Sequence, residues 1–318
     1  MRYHAGVILL GLAIAAATVS VLVVGFLRRR TRPLGAGGWL ALAVLVVATP
    51  LMLRGVEPIA TWYTPTSWTA YILLADAAVY AVSGHSRLHD APGEFLLLWV
   101  LSVLLWLVFE AYNLRLENWV YVGLPPQGPA RWFGYMWCFA TITPGIFETA
   151  DLVAVMGWFR KTSKPLRLSE RAKQAMEISG AALLILPLAA PQHIATYMFA
   201  LVWLGFIFLL DPINHSAGLP SLIGDFEEGH RDRFYSLLAS GWICGWLWEL
   251  WNYRAAAKWR YIFPVMQHWK IFEMPAPGFL GFLPFALECF TMYTTAAWLV
   301  RLLVHSGSAG PTNPSHST

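Results

Sequence analysis

Long, mostly apolar runs are the feature that most constrains how this chain can fold. The first run extends from Ala5 to Leu27 and is followed by three arginines, 28–30. About 20 apolar residues allow a helix to cross a bilayer. The sequence has further runs at 38–54, 60–81, 93–112, 132–159, 176–190, 193–211, 234–252 and 278–303. We therefore expect an all-α integral membrane protein with about nine transmembrane helices.

Charged residues are too rare for a soluble protein of this length. Asp, Glu, Lys and Arg make up 13% of the 318 residues, whereas soluble domains carry about 25%. The net charge of +4 fits a membrane protein whose basic residues set its orientation, so we expect no nucleic-acid partner. The three cysteines lie in apolar segments without CxxC spacing. We interpret them as core residues, and we expect no metal and no cofactor.

Two basic segments predict the orientation in the membrane. One is 28–32, which contains four arginines, and the other is the Lys- and Arg-rich loop 160–173. With nine helices both segments fall on the same side, which the positive-inside rule makes cytoplasmic. The N-terminus is then outside and the C-terminus cytoplasmic, in what we expect to be a bacterial inner membrane. The stretch 254–270 is also basic but falls outside, where a functional role would account for it.

Four short patterns occur twice in the same order, 135 to 140 residues apart. The pairs are Trp68…Asp76 and Trp203…Asp211, Phe109-Glu110…Asn113 and Trp248-Glu249…Asn252, Trp119-Val-Tyr121 and Trp259-Arg-Tyr261, and Pro144…Glu148 and Pro284…Glu288. We therefore expect an internal duplication. A first helix at 1–30 would precede two parallel four-helix repeats, at 37–160 and 174–304, related by a pseudo-twofold axis along the membrane normal. We expect the Ser-, Gly-, Pro- and Thr-rich tail 306–318 to be disordered.

The repeated patterns contain four glutamates that are candidate catalytic residues. Glu110 and Glu249 close one helix of each repeat, and Glu148 and Glu288 lie inside the next. Glu288 lies about ten residues into its predicted helix, roughly 15 Å deep, where a carboxylate costs about 2.5–3.5 kcal/mol. A protonated carboxyl in an apolar cavity is suited to donating a proton to an apolar substrate.

Asparagines and aromatic residues accompany these carboxyls in the sequence. We expect Asn113 and Asn252 to orient the acids and a group of nearby side chains to bind substrate, with its rings stabilising a carbocation. The substrate-binding candidates are Trp119, Tyr121, Trp251, Trp259, Tyr261 and Glu273. Alternatively, Glu148 and Glu288 hydrogen-bond Asn113, Asn252, Tyr121 or Tyr261 and only join the helices together, while the rings serve for packing.

Three other features carry weaker predictions. The Pro- and Gly-rich stretch 270–284 is expected to form a re-entrant wall of a pocket. Four tryptophans near span ends, Trp62, Trp68, Trp158 and Trp298, are expected at the membrane interfaces. The acids and histidines between Asp211 and His230 match no zinc or magnesium–diphosphate spacing, and we interpret them as a solvated loop.

The repeated unit resembles the lycopene cyclase domain of the bacterial, archaeal and fungal membrane type. The resemblance rests on Glu110 and Glu249 after an aromatic residue, on the two W-x-Y motifs, and on Pro144…Glu148 and Pro284…Glu288, where that family has a Glu pair closer to its proline. It covers under half of the chain. It implies redox-neutral acid–base chemistry (cyclisation, isomerisation or hydration) on an isoprenoid or carotenoid-like lipid.

Three functions are compatible with the sequence. The first is a membrane enzyme acting on an isoprenoid lipid. The second is a transporter of a small molecule or ion with its site at the repeat interface, because parallel repeats and mid-membrane acids suit transport as well. The third is a non-catalytic scaffold or assembly factor in which the carboxyls join helices. The expected partner in the first case is a membrane lipid.

Overall fold

The chain forms a helical bundle with a few short strands. A computed structural model describes residues 5–160 and 162–308. The helices are α1 Ala5–Arg29, α2 Ala36–Leu53, α3 Ile59–Ser83, α4 Arg87–Asp90, α5 Pro92–Leu116, α6 Gly128–Ala140, α7 Ile142–Val155, α8 Glu170–Ala189, α9 Gln192–Ala195, α10 Phe199–Ser216, α11 Leu222–Glu227, α12 Asp232–Arg254 and α13 Phe282–Ser308. The strands are β1 Trp119–Val122, β2 Lys258–Tyr261, β3 Lys270–Ile271 and β4 Met274–Pro275, and a 3-10 helix, Ala276–Gly281, leads into α13.

Six segments of the described chain are long and apolar enough to cross a membrane. They are Gly6–Arg29, Ala36–Leu53, Pro92–Leu116, Gly128–Val155, Phe199–Ser216 and Ala276–Val304. Such a set of helices is that of a membrane protein. The other predicted spans correspond to α3, α8 and α12, which do not meet the same requirement. A count of nine spans stays a prediction.

Helices α3 and α12 are less uniformly apolar because other helices cover much of their surface. Helix α12 packs along α7 and α13 and also contacts α1 and α3. It buries Trp248 and Glu249, while α3 buries Trp68 and Asp76. A helix that lies against protein can carry polar groups that a lipid-facing helix cannot.

Several predicted boundaries are corrected by the structure. The predicted helix 132–159 is two helices, because the chain leaves α6 and enters α7 at Thr141. The predicted helix 278–303 begins as the 3-10 helix, and α8 starts at Glu170, where Ser169 caps it by accepting from the backbone N–H of Ala172. Helix α13 continues to Ser308, so the predicted disorder is wrong for 306–308, and residues 309–318 lie outside the described chain.

The two aspartates of the duplicated pattern make equivalent hydrogen bonds in the two halves. Asp76 accepts hydrogen bonds from the Ser86 hydroxyl (2.9 Å) and the Leu88 backbone N–H (3.0 Å), at the start of α4. Asp211 accepts from the backbone N–H groups of Leu222 (2.8 Å) and Ile223 (2.9 Å), at the start of α11. Each carboxyl therefore ties a long helix to the short helix that follows it.

The two W-x-Y motifs meet in an antiparallel ribbon made by β1 and β2. Trp119 is opposite Tyr261, and Tyr121 is opposite Trp259, with Val120 opposite Arg260 between them. Each motif is therefore paired with its own counterpart about a local twofold axis. The ribbon joins the two halves at the C-terminal end of α12. The loop 162–173 lies at the other end of this helix, where the Ser163 backbone N–H donates to the backbone oxygen of Gly229 in the α11–α12 turn.

Candidate functional site

A cavity of about 160 Å³ lies beside the ribbon, between α3, α5, α6, α10 and α12. Its wall is mostly aromatic. Seven tryptophans line it: Trp62, Trp68, Trp106, Trp119, Trp203, Trp248 and Trp259. Tyr121 and Tyr261 of the ribbon add hydroxyl groups to this wall. The cavity is thus suited to an apolar molecule that tolerates contact with many rings.

Asn113 and Asn252 hold the two ribbon strands. The Asn113 amide donates to the backbone oxygen of Trp119 (2.9 Å) and accepts from its backbone N–H (3.1 Å). Asn252 makes the same two hydrogen bonds with Trp259, at 2.9 and 3.0 Å. The expectation that these asparagines orient the carboxyls of Glu148 and Glu288 is therefore not met, because their amides are engaged by the strand backbone.

Glu110 lies behind the first strand of the ribbon. Its Oε1 accepts three hydrogen bonds, from Tyr121 Oη (2.5 Å), Trp106 Nε1 (2.8 Å) and Trp119 Nε1 (3.2 Å). All three donors line the cavity. The carboxyl thus fixes the positions of three rings in the wall.

Glu249 occupies the corresponding position behind the second strand, but it has fewer partners. The residue is completely buried. Trp259 Nε1 donates to Oε1 at a long 3.4 Å, and Tyr261 lies beside the carboxyl. Among the described residues, Oε2 has no partner within hydrogen-bond distance. Glu249 is therefore a buried acid, one oxygen of which is not used by the fold.

The ribbon tyrosines are neutral hydrogen-bond donors. Burial, together with the neighbouring Glu110 carboxylate, raises the pKa of Tyr121 well above the usual 10. Burial and the Glu249 carboxylate do the same to the pKa of Tyr261. Each phenol thus keeps its proton, and each tyrosine lies between a glutamate carboxyl and the cavity.

Glu148 lies in the middle of α7, about two turns after Ile142, which lines the cavity. It is completely buried, and its Oε1 lies 3.9 Å from Arg87 Nε. Arg87 is held more closely by Asp151, at 2.6 Å. Neither oxygen of Glu148 has a hydrogen-bond partner among the described residues. Glu148 is therefore near a shared cation but is not among the residues that line the cavity.

Glu288 is the most isolated of the four repeated acids. It is completely buried in α13, and within the described chain neither oxygen has a hydrogen-bond partner. It forms no hydrogen bond to Asn252 or Tyr261, and it does not line the cavity. The predicted alternative, in which Glu288 joins helices through these residues, is therefore not observed.

Glu273, a predicted substrate-binding residue, forms an ion pair with a lysine of the ribbon. Its Oε1 lies 2.5 Å from Lys258 Nζ and 4.0 Å from Arg260 Nε. It lies between β3 and β4, in the stretch predicted to form a pocket wall. Of that stretch, Met274 borders the cavity. Glu273 neutralises a cation of the ribbon instead of facing the cavity.

Two tryptophans are placed differently from their predictions. Trp68 is buried rather than at an interface, and its ring lies 4.9 Å from both Trp248 and Trp251. Trp251 was expected to bind substrate, but it packs against Trp68 and Tyr71 and does not line the cavity. Trp68 is thus part of the cavity wall, and Trp251 packs against it from behind.

Several residues that line the cavity are not among the predicted substrate-binding residues. Trp106, Trp203, Phe285, Arg131 and Lys258 line the cavity, although none of them was predicted to bind substrate. Trp106 has a local signal, because it lies four residues before Glu110, on the same face of α5. The others come from separate helices and strands, and only the tertiary packing brings them together.

The segment 211–230, predicted to be a solvated loop, instead covers the end of α10 and the whole of α11, and its acids and histidines make local contacts. His215 Nε2 lies 3.4 Å from Glu227, and Arg233 Nη1 lies 3.0 Å from Asp225. Asn214 donates to the backbone oxygen of Thr291 at 3.0 Å. These contacts connect α10, α11, α12 and α13.

Comparison with known proteins adds no family to these observations. No family model, no curated protein and no solved structure matches the chain. The function must therefore be argued from the cavity, the two ribbon carboxyls and the apolar helices.

Proposed function

We propose that this protein is an integral membrane enzyme that carries out redox-neutral acid–base chemistry on an isoprenoid-like lipid. The observation that carries the proposal is the cavity wall, in which Tyr121 and Tyr261 connect an aromatic pocket to the half-buried Glu110 and the buried Glu249. A transporter would need carboxyls exposed to its substrate, and a scaffold would need no cavity.

The aromatic wall supports a polyene as substrate. Rings stabilise a cation by roughly 2 kcal/mol or more when water is excluded. A carbocation formed from an alkene within this wall would face several such rings at once. The resemblance of the W-x-Y and acid patterns to membrane-type lycopene cyclases points to the same substrate class. Cyclisation, isomerisation and hydration all begin with the same protonation.

Glu249 is the proposed acid, with Tyr261 as the group between it and the substrate. A proton passes from Glu249 through the Tyr261 hydroxyl to one carbon of a double bond, and a cation forms at the other carbon. Loss of a proton from an adjacent carbon returns that proton to the carboxylate and completes an isomerisation. In a cyclisation, a second double bond of the same chain first attacks the cation, its π electrons form the new C–C bond, and the new cation then loses the proton. No oxidant or reductant is needed. Glu148 and Glu288 are less suited to this role because, among the described residues, neither forms a hydrogen bond to a residue of the cavity wall.

The proposal includes an internal duplication with nine spans. Three observations support it: the matching roles of Asp76 and Asp211, the matching hydrogen bonds of Asn113 and Asn252, and the twofold register of the ribbon. With nine spans the basic loops 28–32 and 160–173 face the cytoplasm. The cavity then lies in the outer half of a bacterial inner membrane, and the C-terminus is cytoplasmic.

Mass spectrometry of lipids that co-purify with the protein tests the proposed function. The wild type and Glu249→Gln are expressed in a bacterium that makes polyprenyl lipids and are purified in the same detergent. An isomerase or cyclase gives two species of equal mass and different retention time, and a hydratase gives species that differ by one water. We expect Glu249→Gln to shift the ratio toward substrate by about 10²- to 10⁴-fold, the usual contribution of a general acid.

Two further variants make the result specific. Glu94→Gln removes an exposed carboxyl paired with Arg301 and should leave the lipid ratio unchanged. Glu288→Gln makes the same change at a buried acid away from the cavity. If Glu288→Gln, and not Glu249→Gln, shifts the ratio, the acid is wrongly assigned. If the folded wild type carries only bulk phospholipid, the enzyme proposal fails.

A further inference from the structure

We propose that the aromatic cavity binds an isoprenoid amphiphile with a phosphate head, which Arg131 and Lys258 hold at the cavity mouth. The inference rests on the proposed function, because it names the class of lipid that the same cavity takes. It starts from the basic stretch 254–270, which is predicted to lie on the outer side of the membrane. The proposed acid–base chemistry does not explain why that stretch is basic. Lys258, at the start of β2, belongs to this stretch and lines the cavity.

The charges on the cavity wall have one sign. Arg131 and Lys258 are the charged residues among the described residues that line the cavity, and no Asp or Glu lies among them. Arg131 is exposed near the start of α6 and, within the described chain, has no carboxylate within 4.0 Å. The acids Glu110 and Glu249 lie behind the ribbon and are covered by Trp and Tyr side chains. An anion at the mouth would therefore meet cations first.

Glu273 leaves this positive charge only partly neutralised. It pairs with Lys258 at 2.5 Å and lies 4.0 Å from Arg260. Lys270, the first residue of β3, donates to the backbone oxygen of Tyr261 at 2.8 Å. Burial lowers the pKa of its amine. One carboxylate is thus shared by three basic side chains around β2 and β3, and Arg131, which also lines the cavity, adds a fourth positive charge.

The arrangement of apolar and cationic groups matches a single-chain amphiphile. The aromatic interior offers an apolar chain the burial that drives its binding. Arginine binds phosphate oxygens through a planar fork of N–H donors, and lysine adds a point charge. A phosphate that carries up to two charges fits a pair of cations better than an alcohol does. An alcohol would leave Arg131 in its present state and gain only hydrogen bonds.

Binding of two ligands with the same chain tests the inference. Geranylgeraniol and geranylgeranyl monophosphate are titrated separately into the detergent-solubilised full-length protein, and quenching of the cavity tryptophans is recorded. We expect the wild type to bind the phosphate about tenfold more tightly, as one charge-assisted contact allows. Raising the salt concentration should reduce this preference, because exposed charges are screened.

Three variants locate the charge. Arg131→Gln should remove most of the preference for the phosphate. Glu273→Gln should increase the preference by several-fold, because Lys258 loses its neutralising partner. Arg254→Gln makes the same charge change as Arg131→Gln in an exposed residue that does not line the cavity, and it should leave the preference unchanged. The thermal unfolding midpoint of each variant shows that it is folded.

The outcomes separate this inference from the proposed function. Equal affinities of the wild type for the two ligands would overturn the phosphate assignment and leave an isoprenoid cavity in place. An undiminished preference in Arg131→Gln, or an unchanged preference in Glu273→Gln, would overturn it as well, since the anion would then bind elsewhere. If neither ligand binds saturably, both the inference and the isoprenoid substrate fail.

Discussion

The two halves of the molecule carry the same glutamates in different surroundings. In the first half, Glu110 accepts three hydrogen bonds, and Glu148 lies 3.9 Å from a guanidinium. In the second half, Glu249 accepts one long hydrogen bond, and Glu288 has no hydrogen-bond partner among the described residues. Since a buried polar group without partners costs stability, the second half carries the larger cost: among the described residues, Glu249 Oε2 and both oxygens of Glu288 have no hydrogen-bond partner, against the two oxygens of Glu148 in the first half. The difference favours the second half as the place for proton transfer.

The neighbours of Glu148 and Glu288 explain part of this difference. Arg87 follows the capping residue Ser86 in the first half, and a leucine, residue 222, follows Ser221 in the second. The cation near Glu148 therefore has no counterpart near Glu288. The backbone contacts of α4 and α11 are nonetheless similar, so the same local fold can be built with or without the buried charge.

The largest stability effect is expected at the asparagines that hold the ribbon. Asn252→Ala removes two hydrogen bonds to Trp259 in a fully buried position and should cost about 3 kcal/mol. Asn113→Ala should cost about 2 kcal/mol, because Asn113 is only partly buried and water can replace some of its contacts. Thermal unfolding in detergent measures both losses.

A matched control is Gln192→Ala, which removes an exposed hydrogen bond to the Arg115 backbone and should change the midpoint little. Losses for Asn113→Ala and Asn252→Ala as small as the control's would show that the amides do not hold the ribbon. A loss at Asn113 larger than at Asn252 would reverse the comparison between the halves.

The part of the site that is close in sequence can be predicted, and the part that is distant cannot. Glu110, Asn113, Trp119 and Tyr121 lie within twelve residues of one another, so a helix end and a short strand bring them together. The pattern therefore identifies them without a structure. The same argument identifies Glu249, Asn252, Trp259 and Tyr261, although not which backbone groups the asparagines bind.

The cavity itself depends on packing between helices. Trp62, Trp203 and Phe285 come from three different helices, and no local pattern states which face of each helix meets the others. Glu288 shows the same limit, because its depth in a helix is readable from the sequence but its neighbours are not. The break at Thr141 is also not signalled, since the residues around it are compatible with a continuous helix.

The second prediction transfers the surroundings of Glu288 to Glu148. Arg87→Leu leaves Asp151 and Glu148 without their cation and should cost about 2 kcal/mol, less than a fully buried pair because Arg87 is 38% exposed. Adding Asp151→Thr, the residue found three positions after Glu288, should recover about half of this loss. A double-mutant cycle by thermal unfolding measures the coupling. If the double variant loses the sum of the two single losses, the two side chains do not act together.

A smaller effect is expected at the aspartates that hold α4 and α11. Asp211→Asn keeps one acceptor for the two backbone N–H groups of Leu222 and Ile223, and should cost about 1.5 kcal/mol. Asp76→Asn should cost about 1 kcal/mol, because one of its two donors is the Ser86 hydroxyl, which can rotate to another acceptor. Thermal unfolding of the two variants, each beside the alanine variant at the same position, ranks them. Equal losses would mean that the two helix connections are equally rigid.

The smallest effect concerns Asp90 and Asp225, which follow the two capping serines, Ser86 and Ser221, at the same distance. Asp90 is exposed and lies 3.0 Å from His85. Burial raises the pKa of the Asp225 carboxyl from 3.8 to about 6, although Arg233 at 3.0 Å acts in the opposite direction. The two short helices therefore place this aspartate in different surroundings, exposed in α4 and half-buried in α11.

The raised pKa fixes the sign of a pH effect on stability. Between about pH 4 and 6 the unfolded chain has lost the Asp225 proton while the folded protein retains it, so the folded state binds more protons. The stabilisation is complete below about pH 4 and is lost as the pH rises through about 6. Asp225→Asn should remove this decline in the unfolding midpoint, and Asp90→Asn should not. If the decline persists unchanged in Asp225→Asn, another group causes it, and Asp225 is not the origin of the pH effect.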